Sequence, residues 1–166
     1  MLESKKSIEK ISIKEICEKA ELNRSTFYAY YNEPKDLLRE IEEEITASTI
    51  ERLNKEVVEN ENDPKRIVLS LLQYIRENDR QFKIFMIENV NPDFRDAYFA
   101  QSLQFVSRLG VTFPEKIRTY ANAYILNGSV GVILQWIRAN YSIDESDVAE
   151  LLFSLNANAI FGINVD

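Results

Sequence analysis

Residues 12–41 read Ser-Ile-Lys-Glu-Ile-Cys-Glu-Lys-Ala-Glu-Leu-Asn-Arg-Ser-Thr-Phe-Tyr-Ala-Tyr-Tyr-Asn-Glu-Pro-Lys-Asp-Leu-Leu-Arg-Glu-Ile, and this stretch decides the fold. Ser12 and Glu15 form an S-x-x-E capping box, in which each side chain satisfies an orphan amide of the other at a helix start. The helix runs to Ala20, with Ile13, Ile16, Cys17 and Ala20 on one side and Lys14, Glu15, Glu18 and Lys19 on the other. Glu21-Leu22-Asn23 reads as a turn, and Asn23 as the cap of a second helix of about eight residues. That helix carries Arg24, Ser25, Thr26, Tyr28, Tyr30 and Tyr31 around one large apolar residue, Phe27. Two short helices joined this tightly make a helix-turn-helix. From Asn23 to Asn32 there is no carboxylate. A helix of hydroxyls, amides and one arginine suits a groove lined with phosphates, and its N-terminus aims free amides and a positive dipole end outward.

These residues carry a resemblance. The run from Ser12 to Tyr31, with Thr26-Phe27-Tyr28 followed by an aromatic pair and then Lys35-Asp36-Leu37-Leu38, resembles the DNA-binding domain of the TetR family of transcriptional regulators. The resemblance implies that Phe27 is core. It implies that Arg24, Ser25, Thr26, Tyr28, Tyr30 and Tyr31 face the major groove or its flanking phosphates, and that Ser12 sits where the first helix meets phosphate. Pro34 stands where the family usually has lysine, and Lys35 follows one place later. Ala29 replaces what is often a larger polar residue and so removes one base contact.

Charge distribution agrees with a DNA-facing front. The net charge of the 166-residue chain is −7. Residues 1–39 hold eight Lys or Arg against seven Asp or Glu, net +1, and residues 40–166 are net −8. Only the front segment approaches a polyanion without strong repulsion. There is no histidine, which removes histidine acid–base chemistry, Ser-His and Cys-His nucleophile pairs and most zinc or di-iron sites. No nucleophile motif is present, so the chain reads as a non-enzyme without cofactor or metal. Its single cysteine, Cys17, fits a cytoplasmic protein. No apolar run reaches the ~18 residues of a membrane span.

Residues 1–11 carry only the tail of the amphipathic helix that the family places ahead of the capping serine. Leu2 to Lys5 reads as a residual helical turn and the rest as connector. A coding start placed too late is the favoured explanation, and a curtailed domain the other. Without that helix Ile16, Leu22 and Phe27 lose an apolar wall worth ~1.5–3 kcal/mol per side chain.

The rest of the chain reads as helices. Pro34 opens one that runs to about residue 60, with Leu38, Ile41, Ile45, Leu53 and Val57 at helical spacing and Glu42-Glu43-Glu44 as a solvated face. Asp63 caps a helix that Pro64 starts, with Ile67, Leu71, Leu72 and Ile75 inward. A short helix with Phe82, Phe85 and Met86 follows, and then one from Phe94 to Leu109 that Gly110 stops. Pro114 opens a helix to about Ala139 that is apolar almost all round from Tyr120 to Ile137, so it must be covered on two sides. Gly128 and Gly131 within it permit close helix approach. A second capping box, Ser142 with Glu145, starts the last helix, whose stripe is Val148, Leu151, Leu152, Leu155 and Ala159.

The expectation is therefore an all-α, TetR-like chain. Residues 1–41 form the helix-turn-helix head, and residues 42–166 the effector-binding and dimerisation body, which resembles that of Gram-positive members. The last two helices would pair with those of a second copy as a four-helix arrangement. The partners are a double-stranded DNA operator, the homodimer mate and a small apolar or aromatic effector, for which Phe82, Phe85, Phe94, Tyr98, Phe99, Phe105, Tyr120 and Tyr124 are candidate lining. The sequence assigns no effector residue. The function implied is a repressor released by its effector. Arg24, Tyr28 and Lys35 would hold phosphate, and Thr26 and Tyr30 would read base edges. The alternative is a ligand- or protein-binding helical dimer with a vestigial helix-turn-helix.

Overall fold

Asp63 starts the helix on which the body is built. In the computed structural model, which describes residues 7–59, 63–88, 91–107 and 113–161, its carboxylate accepts from the amide of Lys65 at 3.0 Å, and Pro64 takes the first helical position. This helix is α4 (Pro64–Glu77). It packs against α3 (Pro34–Glu59), α6 (Pro92–Ser107) and α8 (Glu145–Phe161). Ile67, Leu71, Leu72 and Ile75 recur every three or four residues, so they share one face, and all are buried. The residues read as a helical turn at Leu2–Lys5 and as a helix end at Leu109 and Gly110 lie outside the described residues.

The head consists of α1 (Ile13–Ala20) and α2 (Arg24–Tyr28), preceded by a 3-10 turn at Ile8–Lys10 that packs against α3. That turn corrects the reading of residues 6–11 as connector, because Ile11 is buried with Cys17 and Phe27. Ile11 and Ile16 hold the two positions of a hydrophobic staple around the Ser12 cap, which fixes the angle at which the chain enters α1. Ile16 itself is half-buried, and Ala20 and Leu22, expected on the covered side, are exposed.

Aromatic rings fill the middle of the body. Tyr98 is fully buried, with Phe82 at 5.5 Å, Phe94 at 6.0 Å and Phe99 at 5.3 Å between ring centroids. Phe82 closes α5 (Asp79–Phe82), and the chain then widens into π-helix over Lys83–Glu88, which contributes Phe85 and Met86 to the core. The hydroxyl of Thr49 donates to the carbonyl of Ile45 at 2.8 Å, which leaves its lone pairs to accept from the Tyr98 hydroxyl at 3.1 Å. Burial pushes the Tyr98 phenol far up, so it remains a donor at every working pH.

The expected start of the last helix moves. The last helix begins at Glu145 rather than Ser142, because the amides of Asp147 and Val148 bond the carbonyl of Asp144. Asn140 and Tyr141 both take left-handed backbone, φ 53° and 58°, and carry the chain from α7 (Glu115–Arg138) to α8. The indole of Trp136 donates to the carbonyl of Ile143 at 2.8 Å and holds this loop down. The expected stripe of α8 also divides: Val148 and Leu152 are buried, while Leu151 and Leu155 are exposed.

Candidate nucleic-acid interface

Ser12 begins the candidate interface, and its side chain is occupied. Its hydroxyl accepts from the Glu15 amide at 3.2 Å and donates to the Glu15 carboxylate at 2.9 Å, and the same carboxylate accepts from the Ser12 amide at 2.9 Å. The box leaves the first amides of α1, those of Ile13 and Lys14, as donors to an outside group. At the other end Glu21 takes left-handed backbone, φ 56°, and its amide bonds the Cys17 carbonyl, so α1 stops and the chain turns.

The second helix is shorter than its sequence implies. It spans Arg24–Tyr28, five residues rather than eight, and Asn23 sits at the cap without a side-chain hydrogen bond. The next two amides converge on one carbonyl: Tyr30 reaches that of Phe27 across three residues at 3.1 Å, and Tyr31 across four at 2.9 Å. The cause is local. A run of aromatic and hydroxyl residues gains little from helical backbone, and Asp36 takes up the following turn by accepting from the amides of Asn32 and Glu33 at 3.0 and 3.1 Å.

Phe27 is buried, as its role requires, with the rings of Tyr28 and Tyr31 at 6.1 and 5.3 Å. Arg24, Ser25, Thr26, Tyr28 and Tyr30 are exposed, with Tyr30 at 78%. These five residues form one open surface. Tyr31 does not belong to it in full: it is half-buried and hydrogen-bonds Glu40 on α3, and that bond is the first cause of its raised hydroxyl pKa. Lys35 stands at the start of α3, where its ammonium lies 3.8 Å from Glu9, with both side chains largely in water. An exposed pair of that kind is worth ~0–1 kcal/mol, so a phosphate can displace it.

The body contains a functional candidate that the sequence reading missed. Of Glu42, Glu43 and Glu44, expected together in solvent, Glu43 and Glu44 are exposed, but Glu42 is only 9% exposed. Its carboxylate accepts from the Asn91 amide at 3.1 Å, and burial raises its pKa against the opposing pull of Asn91 and Arg39. Glu42 shares the inward stripe of α3 with Ile45, Thr49 and Leu53. The helical period was the available signal, since it places only one residue of the acidic triplet on that face. Glu42 borders an open groove of about 790 Å³ between α3 and α6. Phe94 and Tyr98 also border this groove, whereas Phe82, Phe85 and Phe99 are core and Tyr120 and Tyr124 lie on the open side of α7. The side chain of Phe105 lies outside the described residues.

That open side is continuous. Tyr120, Tyr124, Gly128, Gly131 and Gln135 recur every three or four residues, so they form one stripe, and all are exposed. The opposite side of α7 is covered, with Ser129, Ile133, Trp136 and Ile137 buried. Nothing lies within 4 Å of where a Cβ on Gly128 or Gly131 would stand. The two glycines therefore serve no approach within the described part of one chain.

Residues 62–158, more than half the chain, match the TetR model described as the transcriptional regulator C-terminal region. The chain belongs to the TetR family of transcriptional regulators. The TetR match covers α4 to most of α8, the helices that hold the groove's α6 wall and the exposed stripe, and leaves α1 and α2 to their own residues. No characterised protein and no solved structure matches the chain. Among the described residues no helix is long and apolar enough to cross a membrane.

Proposed function

We propose that this TetR-family regulator is a cytoplasmic repressor that binds operator DNA as a homodimer and releases it when an effector occupies the body. Residues 1–41 are the DNA-binding unit, and residues 42–166 bind the effector and the second subunit. One observation carries the reading: α2 and the turn after it offer Arg24, Ser25, Thr26, Tyr28 and Tyr30 to solvent around a single buried phenylalanine, without a carboxylate among them. Arg24 and Tyr28 hold phosphate, and Lys35 joins them once it leaves Glu9. Thr26 and Tyr30 meet base edges. Ser12 and Tyr31 act more indirectly, since their hydroxyls are engaged by Glu15 and Glu40 and orient the two ends of the unit.

The homodimer is supported by the stripe on α7, which with exposed Leu151 and Leu155 on α8 is more apolar surface than a single subunit covers. Two heads would then address half-sites about one helical turn apart, ~34–36 Å. The engaged hydroxyls of Ser12 and Tyr31 favour the second reading, a ligand-binding dimer with a vestigial head.

A gel-shift titration against the DNA upstream of the chain's own gene separates the two. The repressor reading expects a specific complex. Arg24→Ala, which removes a phosphate contact, should weaken it about equally on every sequence and lower the salt dependence by about one unit. No complex at low salt, or an Arg24→Ala chain with the parent's affinity and salt slope, refutes it.

A further inference from the structure

We infer that the groove between α3 and α6 binds a small organic cation with an apolar or aromatic body, with the Glu42 carboxylate as its counter-ion. The groove has about 790 Å³, enough for a drug-sized molecule. Its apolar wall is Ala47, Ile50, Phe94, Ala97 and Tyr98, which gives a flat organic body something to lie against. Its charged groups are Glu42, Glu43 and Glu51 against Arg39 alone, and Arg39 is drawn 3.7 Å from Asp36 on its own helix. The cavity is therefore net negative, and an anionic effector would face three carboxylates.

Glu42 is what turns charge into a site. A carboxylate has about four acceptor positions, and the amide of Asn91 supplies one donor that reaches both oxygens, at 3.1 and 3.5 Å. Burial without full pairing is costly for an anion, and a bound ammonium or amidinium would relieve it. The occupant would also sit against α3, which carries the head, and against α6, whose first turn Asn91 caps. Prising these two apart moves the DNA-binding unit relative to the body. That regulatory step rests on the repressor reading. The binding itself does not.

The test uses two isosteric ions on the full chain, tetraphenylphosphonium and tetraphenylborate, by isothermal titration without DNA. The cation should bind at least about tenfold more tightly than the borate, and Glu42→Gln should weaken it about tenfold or more, the loss of one opposite charge beside it. Glu44→Gln, which alters an exposed carboxylate outside the groove, should leave cation binding unchanged. Circular dichroism confirms that both variants are folded. Equal binding of the two ions, no cation binding up to millimolar concentration, or parental affinity in Glu42→Gln overturns the inference. A gel shift run beside it keeps the readings separate. Cation binding without any operator complex would sink the repressor reading and leave the site standing.

Discussion

Tyr124→Glu is the sharpest test of how two copies meet. Tyr124 is 70% exposed and Tyr120 is 78% exposed in the single chain, so the substitution removes almost no contact within the subunit. Surface changes of that kind shift stability by about 0.5 kcal/mol or less. Across a two-fold interface the position counts twice. An aromatic side chain offers ~150–250 Å² for burial, and covering the exposed part of Tyr124 at ~25 cal/mol per Å² contributes roughly 2–4 kcal/mol per copy. Losing both copies costs at least ~4 kcal/mol, about a thousandfold in dimer dissociation constant. Two buried carboxylates would add to that. Sedimentation velocity over a concentration series should show a dimer for the parent chain and a monomer for Tyr124→Glu, with superimposable far-ultraviolet spectra. A variant that stays dimeric with an unchanged dissociation constant would place the interface elsewhere. Operator affinity should fall in parallel, since a lone head keeps half the contacts.

Phe27→Ala should cost the head ~3–5 kcal/mol, the usual loss for a buried phenylalanine. Limited proteolysis should then cut within residues 12–33 while the body keeps its thermal transition, and intact protection of that segment would contradict the core role of Phe27. Glu42→Gln should stabilise the chain at neutral pH. Burial raises the Glu42 carboxyl while Asn91 and Arg39 pull the other way. The folded chain thus holds that proton more tightly than the unfolded one, and the stability this gives is complete below the ordinary value of 4.5 and lost as pH rises through the folded value. Melts from pH 4 to pH 8 should show the variant's advantage growing with pH, and a gap that shrinks with pH would refute the assignment. Hydrogen exchange should be faster at residues 38–46 of α3 than at 49–57, because the second segment carries the Thr49–Tyr98 and Arg52–Glu77 ties to the body. The reverse order would mean that α3 is held most firmly next to the head.

Most of the architecture was legible because its signals are local. Asp63-Pro64 and Ser12-Glu15 announce helix starts through chemistry confined to four residues, and both stand where they were read. The buried face of α4 follows from the period of its leucines and isoleucines alone. Misreadings arose where a longer-range fact decides. Ser142 and Glu145 have the spacing of a capping box, but the Trp136 indole holds the Ile143 carbonyl and the helix starts two residues later than the box would place it. The acidic triplet at 42–44 looked uniform because charge is read residue by residue, whereas burial is set by the stripe that α3 turns toward α6. Tyr31 stands three places past the end of α2, and Glu40, the first cause of its raised hydroxyl pKa, lies nine positions along, beyond the reach of any motif.

Polar ties along α3 explain why one helix can link a groove to a head. At its far end Arg52 reaches Ser70 at 3.1 Å and Glu77 at 3.2 Å, both on α4. One turn nearer the head, Thr49 and Tyr98 share a hydrogen bond at a fully buried site, where separation would cost each hydroxyl a bond made away from water. Beyond that toward the head, the tie to α6 is Glu42 with a single side-chain amide, at the edge of an open cavity. The grip on α3 therefore weakens toward the DNA-binding end. A helix rises 1.5 Å per residue, so Phe27 and its neighbours hang from a lever whose firm point lies near Thr49. A displacement introduced at Glu42 acts between that point and the head, where the smallest polar cost opposes it.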